Sequence, residues 1–246
     1  MGLAHDAGWT VPIDRPFYPP LPCHYRNVES HFVFFRTDPR AVGQLLPEPL
    51  KASEDGDCVV CGMDVPFSSN YGCFQEAFIL EKCAFRDQTG WFCSHVFHNG
   101  PAGIAAGREI YGTPKFWSDL EAKRSGSVMA TTARMGDAPA LTIESTTDES
   151  CGLEDMPVLT PSWRLKLIPR ADGPGLAIKQ LIDGAAAAKD TQVHAMRKGT
   201  GTVQFHAGPL CDLTGLRPLQ YHDAFYIESS YTETFARIEY DYLTPS

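Results

Sequence analysis

Trp163-Arg164-Leu165-Lys166-Leu167-Ile168 alternates apolar with basic side chains and stops at Pro169. Asp172-Gly173-Pro174-Gly175 follows, and residues 176–182 form a second short apolar run. Period-two alternation, a proline stop and a Gly/Pro/Asp turn mark a half-buried strand entering a hairpin. The same grammar recurs on both sides. Candidate strands run over 31–36, 58–65, 73–85, 94–97, 127–134, 141–146, 202–205 and 236–243. The stretch 37–47 reads instead as a short helix, capped by Thr37 or Asp38 and ended by Pro47. Strand-like segments recur from 31 to 243 with no repeat, heptad or linker between them. The spacing predicts a single domain over 1–246, α+β and mainly β. An antiparallel barrel or strongly curved sheet with a few short helices satisfies it. Residues 1–23 carry Pro12, Pro16, Pro19, Pro20 and Pro22 and are expected to form an extended arm.

Composition narrows the function classes. The 246 residues are 43% hydrophobic and 21% charged, as in a globular domain, and 21 glycines with 19 prolines favour turns and short strands. A chain of this length buries enough surface to fold without a disulfide or metal. The net charge of -9, with no basic cluster, argues against nucleic acid or an anionic membrane as partner. No apolar run suits a signal peptide or approaches the roughly 20 residues of a membrane helix. A soluble cytoplasmic protein is therefore expected, with its eight cysteines reduced and acting as small hydrophobes. Cys58 and Cys61 form a lone C-x-x-C, and His95 and His98 are three apart on a strand and face opposite sides. Neither makes a metal site, and no nucleotide, α/β-hydrolase or zinc-protease motif occurs. No metal and no cofactor are expected.

One lysine has unusual company. Gly107-Arg108-Glu109-Ile110-Tyr111-Gly112-Thr113-Pro114-Lys115-Phe116-Trp117 follows a run of small residues from Gly100. A lysine that loses hydration among apolar neighbours favours its neutral form, which is a nucleophile toward carbonyl carbon. The same residues also suit a surface lysine whose stem runs past two aromatics.

Here the chain resembles a family. Gly107-Arg108-Glu109 with Pro114-Lys115 is similar to the Gly-Arg-Glu…Pro-Lys segment of acetoacetate decarboxylases. Phe35-Arg36-Thr37-Asp38 with Leu46-Pro47-Glu48-Pro49-Leu50, Gly72-Cys73-Phe74-Gln75-Glu76, Leu165–Pro169 and Tyr240-Asp241-Tyr242-Leu243 match in kind and order. The resemblance covers about residues 24–243. It implies a cone-like β-barrel, a homo-oligomer and a Schiff base on Lys115. The family pattern departs at three places. Its second lysine is Phe116 here, its first active-site glutamate falls at about Cys61, and its first-strand arginine falls near Val28, with Arg26 two residues away. A two-residue offset keeps a strand side chain on the same face, so Arg26 is expected to point the same way as Val28.

The resulting expectation is a cofactor-free imine enzyme acting on a β-keto acid or related β-dicarbonyl, a decarboxylase-type lyase. Lys115 is the nucleophile and Glu76 the acid/base partner. Arg108, Phe116, Trp117, Cys61, Phe97 and Arg26 are the candidate substrate-contacting residues. Arg108 either holds a substrate carboxylate or, with Glu109, orients the lysine loop. Phe116 and Cys61 suggest an apolar pocket, suited to a natural-product intermediate. The alternatives are aldol, dehydration or cyclisation chemistry on the same lysine, and a binding protein for carbonyl ligands without turnover.

Overall fold

Cys23 opens the first of fifteen strands that join in one sheet in the computed structural model, which describes residues 8–244. The strands are β1 Cys23–Arg36, β2 Lys51–Ala52, β3 Asp57–Val65, β4 Phe67–Ser68 and β5 Phe74–Phe85. Then come β6 Gln88–His98, β7 Lys115–Trp117, β8 Asp119–Ser125, β9 Val128–Met135 and β10 Ala138–Ser150. The last five are β11 Ser162–Pro169, β12 Leu176–Asp183, β13 Ala188–Phe205, β14 Gln220–Glu233 and β15 Arg237–Asp241. Along the sheet the order is β15-β12-β11-β6-β5-β3-β1-β14-β13-β10-β9-β8, with β2, β4 and β7 attached to β5, β1 and β6. The fold is mainly β, as the alternation predicts. Pairing is antiparallel except where β6 meets β7 and β11, both parallel. Residues 8–22 of the expected arm form no helix or strand. Its first seven residues lie outside the described part.

The sheet curves so that its β8–β10 end covers one face of its middle. His31 of β1 shows the contact, with one ring nitrogen 2.8 Å from Ser145 Oγ and the other 2.9 Å from Thr131 Oγ1. Full burial pushes this imidazole down to about 3, so it stays neutral between the layers. Val33, Phe35, Val60, Ile79, Phe97 and Leu141 pack on this side as the main core. The opposite face of the same central strands is only half filled, and there the cavity lies.

Strand parity decides which residues reach it. On β1, Ser30 and Phe32 line the cavity, so even-numbered positions point inward. At Asn27 the backbone turns left-handed (φ 52°) and the pairing with β14 slips between Tyr25 and Val28. The extra residue reverses the parity. Tyr25 therefore lines the cavity, and Arg26 points away and donates to the Tyr25 carbonyl at 2.7 Å. This corrects the expectation that Arg26 shares the facing of Val28.

Two short helices interrupt the strands. In α1 (Pro39–Gly43), Asp38 is the cap and accepts from the Arg40 N–H. The second, α2 (Pro101–Ala106), runs directly into a π-helical turn, Gly107–Tyr111, that ends on left-handed Gly112 (φ 68°). Among the described residues no helix is long and apolar enough to cross a membrane.

Candidate active site

β5 is regular, so Phe74, Glu76, Phe78 and Leu80 stand in a row on the cavity side. Its neighbour β6 places His98 opposite Glu76 and Val96 opposite Phe78. The short β7 then lies parallel to β6 with Lys115 beside Val96. Pro114 makes this approach, since a tight turn closes from the Lys115 N–H to the Thr113 carbonyl at 2.8 Å. Lys115 thus projects from the outer side of β6 back over the Glu76–His98 pair. Its Nζ lies 2.8 Å from Glu76 Oε2, and the two side chains are only 12% and 14% exposed.

The glycines around the lysine provide space rather than conformational freedom. Gly107 has helical angles (φ -60°, ψ -43°) that any residue adopts, yet a Cβ there would sit 2.8 Å from Lys115 Cδ and Cε. Gly103 stands over the His98 ring in the same way, with 2.7 Å to Nε2. A π turn is a rare element that concentrates at functional sites, and this one holds Gly107 against the lysine stem. Lys166 supports it by donating to the Ile110 carbonyl at 3.2 Å.

Charge states follow from these partners. Burial alone would raise the Glu76 carboxyl, but the Lys115 ammonium and His98 outweigh it, and Glu76 sits below the ordinary carboxylate range. His98 accepts at Nδ1 from the Gly100 N–H at 2.7 Å, so its proton belongs on Nε2, which has no hydrogen-bond partner and lies 3.7 Å from Glu76 Oε2. Burial, reinforced by Lys115 and opposed by Glu76, pushes His98 down to about 3. It is a neutral N–H donor facing the carboxylate. Phe74 stacks on its ring at 4.3 Å.

The opposite wall adds groups that sequence reading missed. Glu233, the last residue of β14, accepts from Tyr25 Oη at 3.0 Å. Burial raises its carboxyl, and the nearby cations Lys115 and Arg164 offset that only in part. Tyr231 stacks on Tyr25 at 4.6 Å and holds it in place. Arg164 of β11 reaches the same cavity and donates from Nη1 to Thr113 Oγ1 at 3.0 Å. Signals for these existed. Arg164 occupies a polar position of an alternating strand, where it reads as a solvent-facing charge. His98 entered only as half of a poor metal pair.

These groups line a cavity of about 630 Å³. Its remaining walls are mostly apolar, from Phe32, Phe78, Leu80, Met156, Leu159 and Ile227, with hydroxyls from Ser30, Thr160, Thr191 and Ser229 among them. Leu153 and Val158, 61% and 74% exposed, stand at its edge. Among the described residues no three His, Cys, Asp or Glu side chains gather as a metal ion requires.

The six expected substrate-contacting residues are not among its lining. Phe116 follows Lys115 on a strand and so faces the other way, stacked on His95 at 6.1 Å. Trp117 is 61% exposed at the strand end. Phe97 alternates with Val96 and His98 and belongs to the core on the far face. Cys61 is on the cavity side but lies in register between Phe32 and Phe78, which bury it completely. Arg26 is turned away by the bulge, and Arg108 donates to the Lys115 carbonyl at 3.2 Å, bracing the lysine backbone.

A family model for acetoacetate decarboxylase matches residues 10–243. The acetoacetate decarboxylase 2 of Mesorhizobium japonicum is 26% identical over 243 residues, spanning 97% of this chain and 91% of that protein. The acetoacetate decarboxylase of Clostridium acetobutylicum is 26% identical over 245 residues, spanning 95% and 96%. Among solved structures, acetoacetate decarboxylase from Legionella pneumophila is similar with a TM-score of 0.86 at 20% identity, over 99% of this chain and 100% of that one. The enduracididine biosynthesis enzyme MppR, complexed with pyruvate, is similar with a TM-score of 0.83 at 18% identity, over 97% and 100%.

Proposed function

The chain belongs to the acetoacetate decarboxylase family, and we propose that it forms an imine between Lys115 and the ketone carbon of a β-keto acid and releases carbon dioxide from that adduct. The observation that carries this reading is the Lys115 Nζ–Glu76 contact of 2.8 Å inside an apolar cavity. Glu76 accepts a proton from the ammonium, with His98 Nε2–H facing the same carboxylate. The free amine attacks the carbonyl, Glu76 gives its proton to the departing oxygen, water leaves, and a cationic iminium remains beside the Glu76 carboxylate. The carbon–carbon bond to the carboxylate then breaks, and its electron pair flows into the iminium. This gives carbon dioxide and an enamine. Glu233 retains its proton more readily than an ordinary carboxylate and is the donor to the enamine carbon. Hydrolysis returns the amine and the ketone product.

A second reading keeps Lys115 and adds an aldehyde to the enamine, followed by loss of water. Two observations favour it. Glu233 lines the cavity with its carboxyl raised by burial, as suits a proton donor to a leaving hydroxyl, and one solved neighbour, MppR, is complexed with a condensation product of pyruvate and imidazole 4-carboxaldehyde. The protein is proposed to act as a homo-oligomer, and light scattering coupled to size-exclusion chromatography measures its mass in solution.

Borohydride trapping tests the common step. The protein is incubated with acetoacetate or pentane-2,4-dione and reduced, and its intact mass is read. An adduct that disappears in Lys115→Ala supports the imine, and headspace carbon dioxide separates decarboxylation from condensation. A protein that binds these carbonyl compounds without any adduct is a non-covalent carbonyl-binding protein, and the imine reading falls.

A further inference from the structure

We propose that Arg164 is the anion-recognition residue of this cavity, and that it selects a monocarboxylate with an apolar body. This rests on the imine reading only in taking both groups to grip one molecule. Arg164 carries five N–H donors in a planar fork. Among the described residues its guanidinium has one hydrogen bond, to Thr113 Oγ1, and it forms no ion pair. Its Nε is buried without a partner. A half-buried cation left with so few partners is costly, and a carboxylate presented to the fork satisfies it in bidentate fashion.

The site is shaped for this group. Gly184 has ordinary helical angles (φ -73°, ψ -25°), so its backbone does not require glycine. A Cβ there would lie 2.2 Å from Arg164 Cζ and 2.4 Å from Nε. The missing side chain is the seat of the guanidinium. Thr113, its anchor, stands two residues before Lys115 in the same turn. A ligand that meets both the amine and the fork therefore carries its anion close to its carbonyl, as a keto acid does. The charge count agrees. Glu76 is matched by Lys115, and among the described residues no carboxylate lies within ion-pair distance of Arg164. One carboxylate balances it. The rest of the molecule meets Phe32, Phe78, Leu80, Met156 and Leu159, with Leu153 and Val158 at the edge. Each buried methylene contributes about 0.8 kcal/mol, or roughly fourfold in affinity.

The experiment compares an anionic with a neutral carbonyl probe. Half-saturating concentrations for borohydride-trapped adduct are measured with 3-oxooctanoate, acetoacetate and pentane-2,4-dione. In Arg164→Gln, capture of 3-oxooctanoate should weaken about 10- to 100-fold, while capture of the neutral dione changes less than about threefold. Arg164→Lys should recover part of the loss. Gly184→Ala, which pushes the guanidinium from its seat, should reproduce the same selective loss and serves if Arg164→Gln does not fold. Equal losses on both probes, or no loss on either, overturn the assignment. Equal capture of acetoacetate and 3-oxooctanoate by the unmodified protein overturns the apolar body. If the unmodified protein traps no carbonyl at all, the imine reading fails on its own. Hexanoate against hexanamide by calorimetry then decides on Arg164, with the acid bound at least tenfold tighter if the fork is the site and equally if it is not.

Discussion

Glu76 and Glu81 stand five residues apart on the same strand, and both are buried, yet their charge states diverge. Five is odd, so the two side chains point to opposite faces of β5. Glu76 meets the Lys115 ammonium and is held below the ordinary carboxylate range. Glu81 meets only the hydroxyl of Ser94, leaves Oε2 without a partner, and is pushed up to about 8 by burial. Ser94 is the bulge residue of β6, unpaired in the ladder between His95 and Cys93, and the bulge turns its hydroxyl onto Glu81. Burial is common to both carboxyls. The partner decides, and the partner was set by which face the residue happened to occupy. One face of the strand carries an ion pair that lines the cavity; the other carries an acid held toward its neutral form inside the fold.

The largest expected effect breaks the first side of this contrast. Glu76→Gln removes the carboxylate at 2.8 Å from the lysine and leaves a largely buried ammonium without its counter-ion. Turnover should fall about 10²- to 10³-fold, in the range of general acid–base catalysis. Imine trapping should slow with it. Retention of activity within tenfold would remove Glu76 from the mechanism.

Gly107→Ala sharpens the same side without touching a charge. Alanine suits the helical angles at this position and can only help the backbone. Its Cβ nevertheless meets Lys115 Cδ and Cε at 2.8 Å and must displace the stem. Displacements of about 1 Å cost up to about 10²-fold in rate. A loss of roughly 10- to 100-fold at unchanged or raised Tm is expected. A parallel fall in Tm would make Gly107 a folding residue instead.

Glu81→Gln tests the second side through pH. The folded carboxyl titrates at about 8 and the unfolded one near 4.5. Below about 4.5 both states hold the proton and Glu81 has no pH-dependent effect. From 4.5 to 8 the unfolded chain releases a proton that the folded protein keeps, so wild-type stability falls as pH rises. Glutamine does not titrate. The variant should match wild type at pH 4 and gain on it steadily up to pH 8, by a few kcal/mol at most, with a plateau above. A constant difference across the range would show that Glu81 is charged in the fold.

Much of the fold was legible because most core-side strands alternate in the ordinary way. What escaped was the cavity wall. β14 has Ile227, Ser229, Tyr231 and Glu233 on its inward face, a mixture that erases the apolar–polar period, so neither the strand nor its terminal carboxylate was expected. The first part of β13 was lost in the same way. Lys115 stood out by its small and aromatic neighbours, and resemblance, which transmits residues that keep their positions, strengthened it and supplied Glu76. Arg164 and Glu233 sit at positions with no such marker, and Arg26 was misassigned because a single left-handed residue, Asn27, shifts the register by one. A bulge leaves no periodic trace until its partner strand is known.

The smallest expected effect concerns Phe116. Its position beside Lys115 invites the idea that it strips water from the amine. Adjacent residues of a strand cannot share a pocket, and Phe116 accordingly lies with His95 and Phe97 on the far face, 37% exposed. The low exposure of Lys115 comes instead from Gly107, which admits the stem, and from Phe74, whose ring centre is 5.8 Å from Nζ. Phe116→Ala should therefore change kcat by less than about threefold and lower stability by no more than about 1–2 kcal/mol, the range for a partly exposed aromatic. Phe74→Ala should change kcat far more, since it uncovers both the amine and the stacked His98 ring. A reversal of that order would mean that desolvation reaches Lys115 through the backbone side of β7, and that the contrast between the two faces of the sheet does not extend to its edge.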